Sequence, residues 1–370
     1  MDKVLQTGLS SGMAATAGLH KAKPKRPDPS QDGKNILPPS FCPDARSRVK
    51  IATAKEPAVE VSNLCIGAWS WGDKATWHWK DEELPRVKEA FKLLFDQDIN
   101  FIDTAEAYGN GRSEEIVGNL ISELELPRES VVIQTKWLGL PLAPNNLLHP
   151  VDAPVKALKG SLARLKLDYV DIYLVHGHIH PQSIPNVAKG LAECVHQGLA
   201  RAVGVANYDF DDFIQMRKEL ARYDVPLATN QCEYNVLRRY PELQGHIGAY
   251  REMDVVFQSY SSLAQGRLTG KYNAKNPPPS TYRFSNYDME SVEPTIRVLE
   301  DIAKNGGKSV AAVALNYNIS KGALPLVGIR NVEQARQAVE ALGWRLDGRE
   351  VERIDKCSME GKTSMLWQQG

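Results

Sequence analysis

Four residues that could share a proton-transfer reaction stand at or just after the ends of consecutive apolar runs. Asp103 ends the run INFID, Tyr108 follows it by five positions, Lys136 ends VVIQTK, and His176 ends YVDIYLVH. Titratable residues at successive strand ends are typical of an active site on the C-terminal rim of a parallel barrel. A tyrosine with the usual pKa of about 10 is a weak acid, so a neighbouring cation would make it easier to ionise. The pattern predicts an acid and base site centred on Tyr108.

The runs that carry these residues belong to a repeat of strands and helices. From Val59 onward, short apolar runs alternate with amphipathic segments, which is the signature of a parallel sheet. Asp152 and Asp209 are predicted to cap two of the helices. The predicted strands are LCIGAW, INFID, VVIQTK, YVDIYLVH, RAVGV, LATNQ, VVFQSY and LPLVG, and the predicted helices cover residues 81–96, 112–124, 152–166, 184–197, 209–222, 292–304 and 331–342. Eight strands are what a closed (β/α)8 barrel, or TIM barrel, requires, so the predicted fold class is a single α/β barrel over residues 56–345.

Two flanking segments fall outside this repeat. Residues 1–55 show no helical or strand pattern and are predicted to form an irregular N-terminal arm, so a deletion of residues 1–50 is expected to leave a folded barrel. Residues 346–370 are predicted to form a C-terminal tail over the barrel. The expected location is the cytoplasm. Mitochondrial import is the alternative, because the first 26 residues hold one acid, Asp2, and end in a basic cluster.

Composition narrows the possible partners. The chain carries 45 basic and 45 acidic residues among 370, so no overall field favours nucleic acid or an anionic membrane. No apolar run approaches the ~20 residues of a membrane helix. The five cysteines form no CxxC pair, and His176, His178 and His180 lack a completing ligand, so no metal site is expected. The expected partner is a small molecule, with the protein a monomer or weak homo-oligomer.

The order of Asp103, Tyr108, Lys136 and His176 resembles the catalytic residues of the aldo-keto reductases, and the resemblance extends over about residues 56–345. It implies NADPH-dependent reduction of an aldehyde or ketone by hydride transfer. In that reaction Tyr108 is the general acid, and Lys136 eases its ionisation. Asp103 holds Lys136 charged, and His176 donates a hydrogen bond to the substrate oxygen.

Further segments resemble the parts of these enzymes that bind NADP(H). Arg330, next to a predicted helix start, suits the 2′-phosphate and favours NADPH over NADH. Ala206 and Ala338 depart from the family pattern, in which a serine and an asparagine are usual. By this resemblance, Asn207 and Gln231 contact the nicotinamide amide, Tyr260 stacks on the nicotinamide ring, and the segment after the seventh predicted strand contacts the pyrophosphate. The implied cofactor residues are Asn207, Gln231, Tyr260, Ser261, Leu263, Gln265, Lys271, Gly328, Arg330 and Gln334.

Tryptophans crowd the segment after the first predicted strand, in which WSWG is similar to a branch of general aldehyde or pyridoxal reductases. Trp69, Trp71, Trp77 and Trp137 are predicted to line a pocket for an aromatic or apolar carbonyl compound. Two other functions remain open at this point. One is a redox-sensing, cofactor-binding subunit of a larger complex, and the other is a Schiff-base aldolase that uses Lys136.

Overall fold

The computed structural model describes residues 26–140, 144–279, 287–361, 363 and 370, with the side chains of residues 145 and 147 left aside. The strands are β1 (Arg48–Ile51), β2 (Val59–Ser62), β3 (Cys65–Gly67), β4 (Phe101–Asp103), β5 (Val132–Trp137), β6 (Val170–Val175), β7 (Ala200–Ala206), β8 (Leu227–Glu233), β9 (Val256–Tyr260) and β10 (Leu324–Gly328). The α-helices are α1 (Leu84–Asp96), α2 (Arg112–Glu123), α3 (Pro144–Leu148), α4 (Asp152–Leu165), α5 (Ile184–His196), α6 (Phe210–Ala221), α7 (Tyr240–Leu243), α8 (His246–Glu252), α9 (Met289–Gly306), α10 (Val310–Ser320), α11 (Val332–Val339) and α12 (Gly348–Lys356). Short 3-10 helices cover Pro29–Gln31, Asp81–Glu83, Tyr108–Gly111, Arg128–Ser130 and Ala264–Thr269.

Strands β3 to β10 close into a parallel barrel in the order β10-β3-β4-β5-β6-β7-β8-β9. This confirms the predicted TIM barrel, and each of the eight predicted runs overlaps one barrel strand. Small and branched side chains fill the interior, including those of Cys65, Ile172 and Ala228. Parallel strands bring all their carboxyl ends to one rim, so residues distant in sequence meet there.

A hairpin closes one end of the barrel. Strands β1 and β2 pair antiparallel, with Ile51 opposite Val59. Ile51, Val59 and Val61 are at most 1% exposed and pack with Phe101 and Val132 of the barrel interior. The part of the N-terminal arm that forms β1 is therefore not irregular, and the predicted boundary at residue 56 cuts between two paired strands.

The arm also contacts the outer helices. The backbone of Gly33 donates to Asp355 at 2.8 Å, Lys321 donates to the carbonyl of Lys34 at 2.8 Å, and the backbone of Leu37 donates to that of Ser320 at 2.9 Å. Removing residues 1–50 would break these bonds and the hairpin together. These contacts count against the expectation that the deletion leaves a folded barrel, and the effect of the deletion stays a prediction. Residues 1–25 lie outside the described residues.

The C-terminal segment packs beside the rim as far as it is described. After α12, Met359 and Glu360 exchange backbone hydrogen bonds of 2.9 to 3.0 Å with Val236, Arg239 and Tyr240, in the segment that follows β8. Residues 362 and 364–369 lie outside the described residues. That the tail covers the barrel mouth stays a prediction.

Five helices, α3, α7, α8, α10 and α12, were not predicted from the sequence, and one of the two predicted caps is absent. Helix α10 was not predicted because every residue from Ala311 to Ser320 is buried, which leaves no polar face to mark it as amphipathic. Asp209 caps α6 as predicted, since its side chain accepts from the backbone of Asp212. Asp152 does not cap α4, because the helix begins at Asp152 itself and Val151 occupies the cap position. Among the described residues, no helix is long and apolar enough to cross a membrane.

Candidate active site

Lys136 is the centre of the cluster at the barrel rim. Its ammonium group is fully buried and lies 2.6 Å from Asp103 Oδ2, 2.9 Å from the carbonyl of Thr104 and 3.0 Å from Tyr108 Oη. Strands β4 and β5 lie side by side, with Phe101 opposite Val132, so the two strand ends deliver Asp103 and Lys136 to one place. These three contacts match the three donors of an ammonium group. The predicted residues Asp103, Tyr108 and Lys136 are thus in direct contact.

The charges of this cluster oppose one another. Burial alone would depress the pKa of Lys136, but Asp103 and the Tyr108 hydroxyl outweigh it and raise that pKa above its usual value. Burial raises the pKa of Tyr108 to about 12, an increase that Lys136 only partly offsets. The lysine therefore eases ionisation of the phenol, as expected, but the net shift is upward. Lys136 is charged and Tyr108 is protonated at neutral pH.

His176 lies beside Tyr108 on the next strand end. The two ring centroids are 5.4 Å apart at an interplanar angle of 78°. The backbone of His176 donates to the Trp137 carbonyl at 2.9 Å, and Asn207 donates to the His176 carbonyl at 3.0 Å. Burial, helped by the Lys136 charge, lowers the pKa of His176 well below its usual value. The imidazole is therefore neutral at pH 7 and can donate one hydrogen bond without carrying a charge.

Buried glutamines support Asp103 from inside the barrel. Asp103 Oδ1 accepts from Gln134 at 2.6 Å and from Gln231 at 3.1 Å, and both amides also donate to Gln258 Oε1, at 2.9 and 3.0 Å. Gln134 and Gln258 were not among the site residues predicted from the sequence. Each stands two positions before a predicted site residue, Lys136 or Tyr260, and so faces the same side of its strand. That alternation is the signal that could have identified them.

Two of the residues implied to contact the nicotinamide amide are already engaged within the protein. Gln231 donates to Asp103, as described above. Asn207, with a left-handed φ of 59°, accepts from Tyr260 Oη at 2.8 Å. Ala206, where the family usually has a serine, is fully buried in the barrel interior. The nicotinamide end of the expected site is thus tied directly to Asp103 and His176.

The segment after β9, expected to contact the pyrophosphate, has an unusual backbone. Ser261, Ala264 and Gln265 have φ of 51°, 46° and 53°, a left-handed conformation that is uncommon outside glycine. Within the described part of the chain, both polar atoms of the buried Gln265 amide lack a hydrogen-bond partner. Leu263 lies in the same turn, where its carbonyl accepts from the backbone of Gly266 at 2.9 Å. Such strained, unsatisfied turns are typical of ligand-binding segments.

Lys271 and Gly328 leave room at the rim. Lys271 is exposed, with its ammonium 5.1 Å from the centre of the Tyr272 ring. Gly328 ends β10 in an exposed position, and apart from its own chain neighbours no described residue has an atom within 4 Å of the place a Cβ would occupy. Together with the unpartnered Gln265 amide, this open space fits a bound dinucleotide.

Arg330 and Gln334 lie where α11 begins. Gln334 Oε1 accepts from the backbone of Arg330 at 2.7 Å, while the guanidinium of Arg330 pairs with Glu83. Ala338, where the family usually has an asparagine, is 1% exposed and packs into the core. Its methyl group offers no hydrogen bond to a cofactor.

Only part of the predicted tryptophan pocket is found. Trp69 stacks on Tyr108 with centroids 5.9 Å apart and meets Trp77 edge-on at 5.3 Å, so these two form a wall beside the phenol. Trp71 is 1% exposed and donates to the Ile329 carbonyl at 2.7 Å, which places it in the core. Trp137 is 2% exposed, with its ring stacked at 6.1 Å on His180. Both indoles are almost fully buried, and neither belongs to the wall that Trp69 and Trp77 form beside Tyr108. That Trp71 and Trp137 line the substrate pocket stays a prediction.

His178 and His180, the two histidines that follow His176 in the sequence, have partners within the protein. His178 contacts the carboxylate of Asp212, and His180 Nε2 lies 2.7 Å from Tyr208 Oη. Burial lowers the pKa of His180 to about 4. No group of three or more metal-ligating side chains occurs among the described residues.

Comparisons with known proteins agree with this geometry. The model of the aldo/keto reductase family matches residues 63–359. The chain is 31% identical to a chloroplastic pyridoxal reductase of Arabidopsis thaliana, over 83% of this chain and 86% of that protein. It is 30% identical to the aldo-keto reductase YhdN of Bacillus subtilis, over 81% and 91%. A solved glycerol dehydrogenase of Gluconobacter oxydans superposes with a TM-score of 0.71 at 26% identity, over 85% of this chain and 98% of that one.

Proposed function

The chain belongs to the aldo/keto reductase family and is an oxidoreductase, and we propose that it reduces an aldehyde or ketone to the alcohol with Tyr108 as the general acid. The observation that carries the proposal is the buried contact of Lys136 with both Asp103 Oδ2 and Tyr108 Oη, at 2.6 and 3.0 Å. A charged lysine beside a protonated phenol favours release of the phenol proton, because the ammonium stabilises the phenolate that forms. It would be a costly arrangement without such a role, since it buries two charges.

The proposed residue roles follow from the protonation states. NADPH, when bound, supplies the hydride that forms the new bond at the carbonyl carbon. Tyr108 gives its proton to the carbonyl oxygen as negative charge develops there, and the Lys136 ammonium stabilises the phenolate that remains. The neutral His176 donates a hydrogen bond to the same oxygen. Asp103 keeps Lys136 charged and oriented.

NADP(H) is the proposed cofactor, and the site residues fit its parts. The unpartnered amide of Gln265 and the left-handed turn at Ser261 suit the pyrophosphate, because backbone N–H groups in such turns bind anions. Gly328 provides open space beside the rim, and Arg330 supplies a guanidinium for the 2′-phosphate. The nicotinamide would lie against Tyr260, next to Asn207 and Gln231.

An aromatic or apolar aldehyde is the proposed substrate. Trp69 stacks on the ring of Tyr108 and Trp77 packs against Trp69, so a flat apolar molecule that reaches the phenol meets indole surface. Pyridoxal, an aromatic aldehyde, is named for the Arabidopsis relative and belongs in any substrate panel.

The structure disfavours the Schiff-base alternative. An amine that attacks a carbonyl must be neutral, which requires a lowered pKa. Lys136 has a raised pKa, and its ammonium contacts three oxygen acceptors. We therefore expect no covalent adduct at Lys136.

The test is consumption of NADPH with a panel of aromatic and aliphatic aldehydes, in parallel with borohydride trapping of each aldehyde on the protein. We expect NADPH-dependent formation of the alcohol, fastest with aromatic aldehydes, and no trapped lysine. An adduct on Lys136 together with no NADPH consumption would favour the aldolase and exclude the proposed reductase.

A further inference from the structure

The arginine that suits the 2′-phosphate is held by a carboxylate of the protein itself. Arg330 Nε lies 2.9 Å from Glu83 Oε2, and Arg330 Nη2 lies 2.5 Å from Glu83 Oε1. The remaining nitrogen, Nη1, donates to the carbonyl of Trp77 at 3.0 Å. The pair is only partly screened by solvent, because the two side chains are 25% and 20% exposed. All three nitrogens of the guanidinium are therefore in use.

Glu83 is positioned independently of Arg330. It ends the 3-10 turn Asp81–Glu83, and its Oε1 accepts from the backbone of Lys80 at 3.1 Å. Its carboxylate is thus fixed by its own turn and faces a residue 247 positions away in sequence. The Glu83 carboxylate is therefore in place to pair with the Arg330 guanidinium when no cofactor is bound.

A carboxylate and a phosphate compete for the same donors. Both accept two parallel N–H bonds from the edge of a guanidinium, which here is the edge formed by Nε and Nη2. A 2′-phosphate that accepts hydrogen bonds from this edge must displace the Glu83 carboxylate. The phosphate then lies close to that carboxylate, and the two negative charges repel each other. NADH has no 2′-phosphate and needs no such displacement.

We propose that Glu83 is an internal competitor of the cofactor 2′-phosphate and limits how strongly the protein prefers NADPH over NADH. The inference rests on the proposed cofactor site. It assigns a specificity-determining role to a residue outside the segments that contact the dinucleotide.

The test is calorimetric titration of NADPH and NADH into the wild-type protein and three variants, Glu83→Gln, Glu82→Gln and Arg330→Ala. Glu83→Gln keeps an oxygen that can accept from Lys80 but removes the charge. It should bind NADPH about tenfold more tightly, equal to about 1.4 kcal/mol, with NADH affinity unchanged. Glu82→Gln is the matched control, because Glu82 is an exposed carboxylate on the same turn. It should change neither affinity more than about twofold, as expected for a screened surface charge.

The outcomes separate this inference from the proposed cofactor site. If Arg330→Ala weakens NADPH selectively while Glu83→Gln changes nothing, the cofactor site stands and the competition is refuted. If Glu83→Gln weakens NADH, Glu83 is a ribose ligand and not a competitor. If Arg330→Ala leaves NADPH affinity unchanged, the assignment of the 2′-phosphate to Arg330 fails, and the competition fails with it. In the Arg330→Ala background, Glu83→Gln should have no further effect.

Discussion

Tyr108 is kept protonated, while the residue that stabilises its ionised form is kept charged. Burial raises the pKa of Tyr108 to about 12, and Lys136 opposes that increase. The phenol therefore does not lose its proton to bulk water at neutral pH, yet a phenolate formed during the reaction has an ammonium 3.0 Å away. Burial of Tyr108 thus keeps the proton on the phenol at rest, and the Lys136 charge stabilises the phenolate once the proton has left.

Replacing Lys136 tests this division. Lys136→Met removes the charge that lowers the pKa of Tyr108, so the phenol should become a still weaker acid. We expect turnover of a reactive aldehyde to fall about 100- to 10,000-fold, the range that general-acid catalysis contributes. NADPH affinity should stay within a few-fold of the wild type. Turnover within threefold of the wild type would show that the lysine does not act on the proton transfer.

The sequence predicted the contact among Asp103, Tyr108 and Lys136 because adjacent parallel strands bring their ends together. It did not predict the pair of Glu83 and Arg330. Neither periodicity nor a motif links two residues 247 positions apart, one in a 3-10 turn and the other in the loop before a helix. Contacts set by strand order can be predicted from sequence, whereas contacts set by loop conformation cannot.

Helix starts show the same limit in local structure. Asp152 and Asp209 look alike in sequence, but only the Asp209 side chain accepts from the third residue of its helix, at 2.8 Å from the backbone of Asp212. The difference depends on backbone conformation: Asp209 is extended, with ψ of 171°, and Asp152 is already helical. A residue type suited to capping does not by itself fix where a helix begins.

The two aspartates provide a matched pair for measurement. Asp209→Ala should lower the free energy of unfolding by about 0.5 to 2 kcal/mol, the usual cost of a lost N-cap. Asp152→Ala should cost less, about 0.3 to 1 kcal/mol, because it loses only a favourable charge in the first turn. Urea unfolding of both variants measures the difference. If both variants lost the same free energy of unfolding, the Asp209 cap would stabilise its helix no more than a negative charge in the first turn does.

At the scale of the whole molecule, a buried cluster of four charges connects elements that are distant in sequence. Arg239, Glu242, Lys321 and Asp355 are all fully buried, and each base contacts both acids within 3.2 Å. They join α7, the end of α10 and α12, and the arm covers them through Lys34, whose carbonyl accepts from Lys321. Two positive and two negative groups balance, so losing one member leaves an uncompensated charge in the interior.

Lys321→Met should therefore destabilise the protein by about 3 to 5 kcal/mol, as for one partner lost from a buried pair. Lys356→Met is the control, because Lys356 pairs with Glu352 on the surface, where the side chains are 56% and 45% exposed. Its cost should be about 0 to 1 kcal/mol. Thermal unfolding of both variants separates the two values. Similar losses would indicate that the cluster is not a stabilising unit.

Deleting residues 1–50 should also destabilise the barrel, in contrast to the expectation from composition. The deletion removes most of β1, exposes Val59 and Val61, and takes away the Gly33 and Lys34 contacts to the charge cluster. We expect a lower melting temperature and reduced recovery of soluble protein. A truncated protein that melts with the wild type would show that these contacts are dispensable.

The most direct test of the account is steady-state reduction of a reactive aromatic aldehyde by Tyr108→Phe. The variant keeps the ring that stacks on Trp69 and removes only the acidic hydroxyl. We predict that turnover falls about 100- to 10,000-fold while NADPH affinity and the melting temperature are preserved. Combining it with Lys136→Met should add little, since both changes act on one proton transfer. Turnover near that of the wild type in Tyr108→Phe would contradict the account, because another group would then supply the proton.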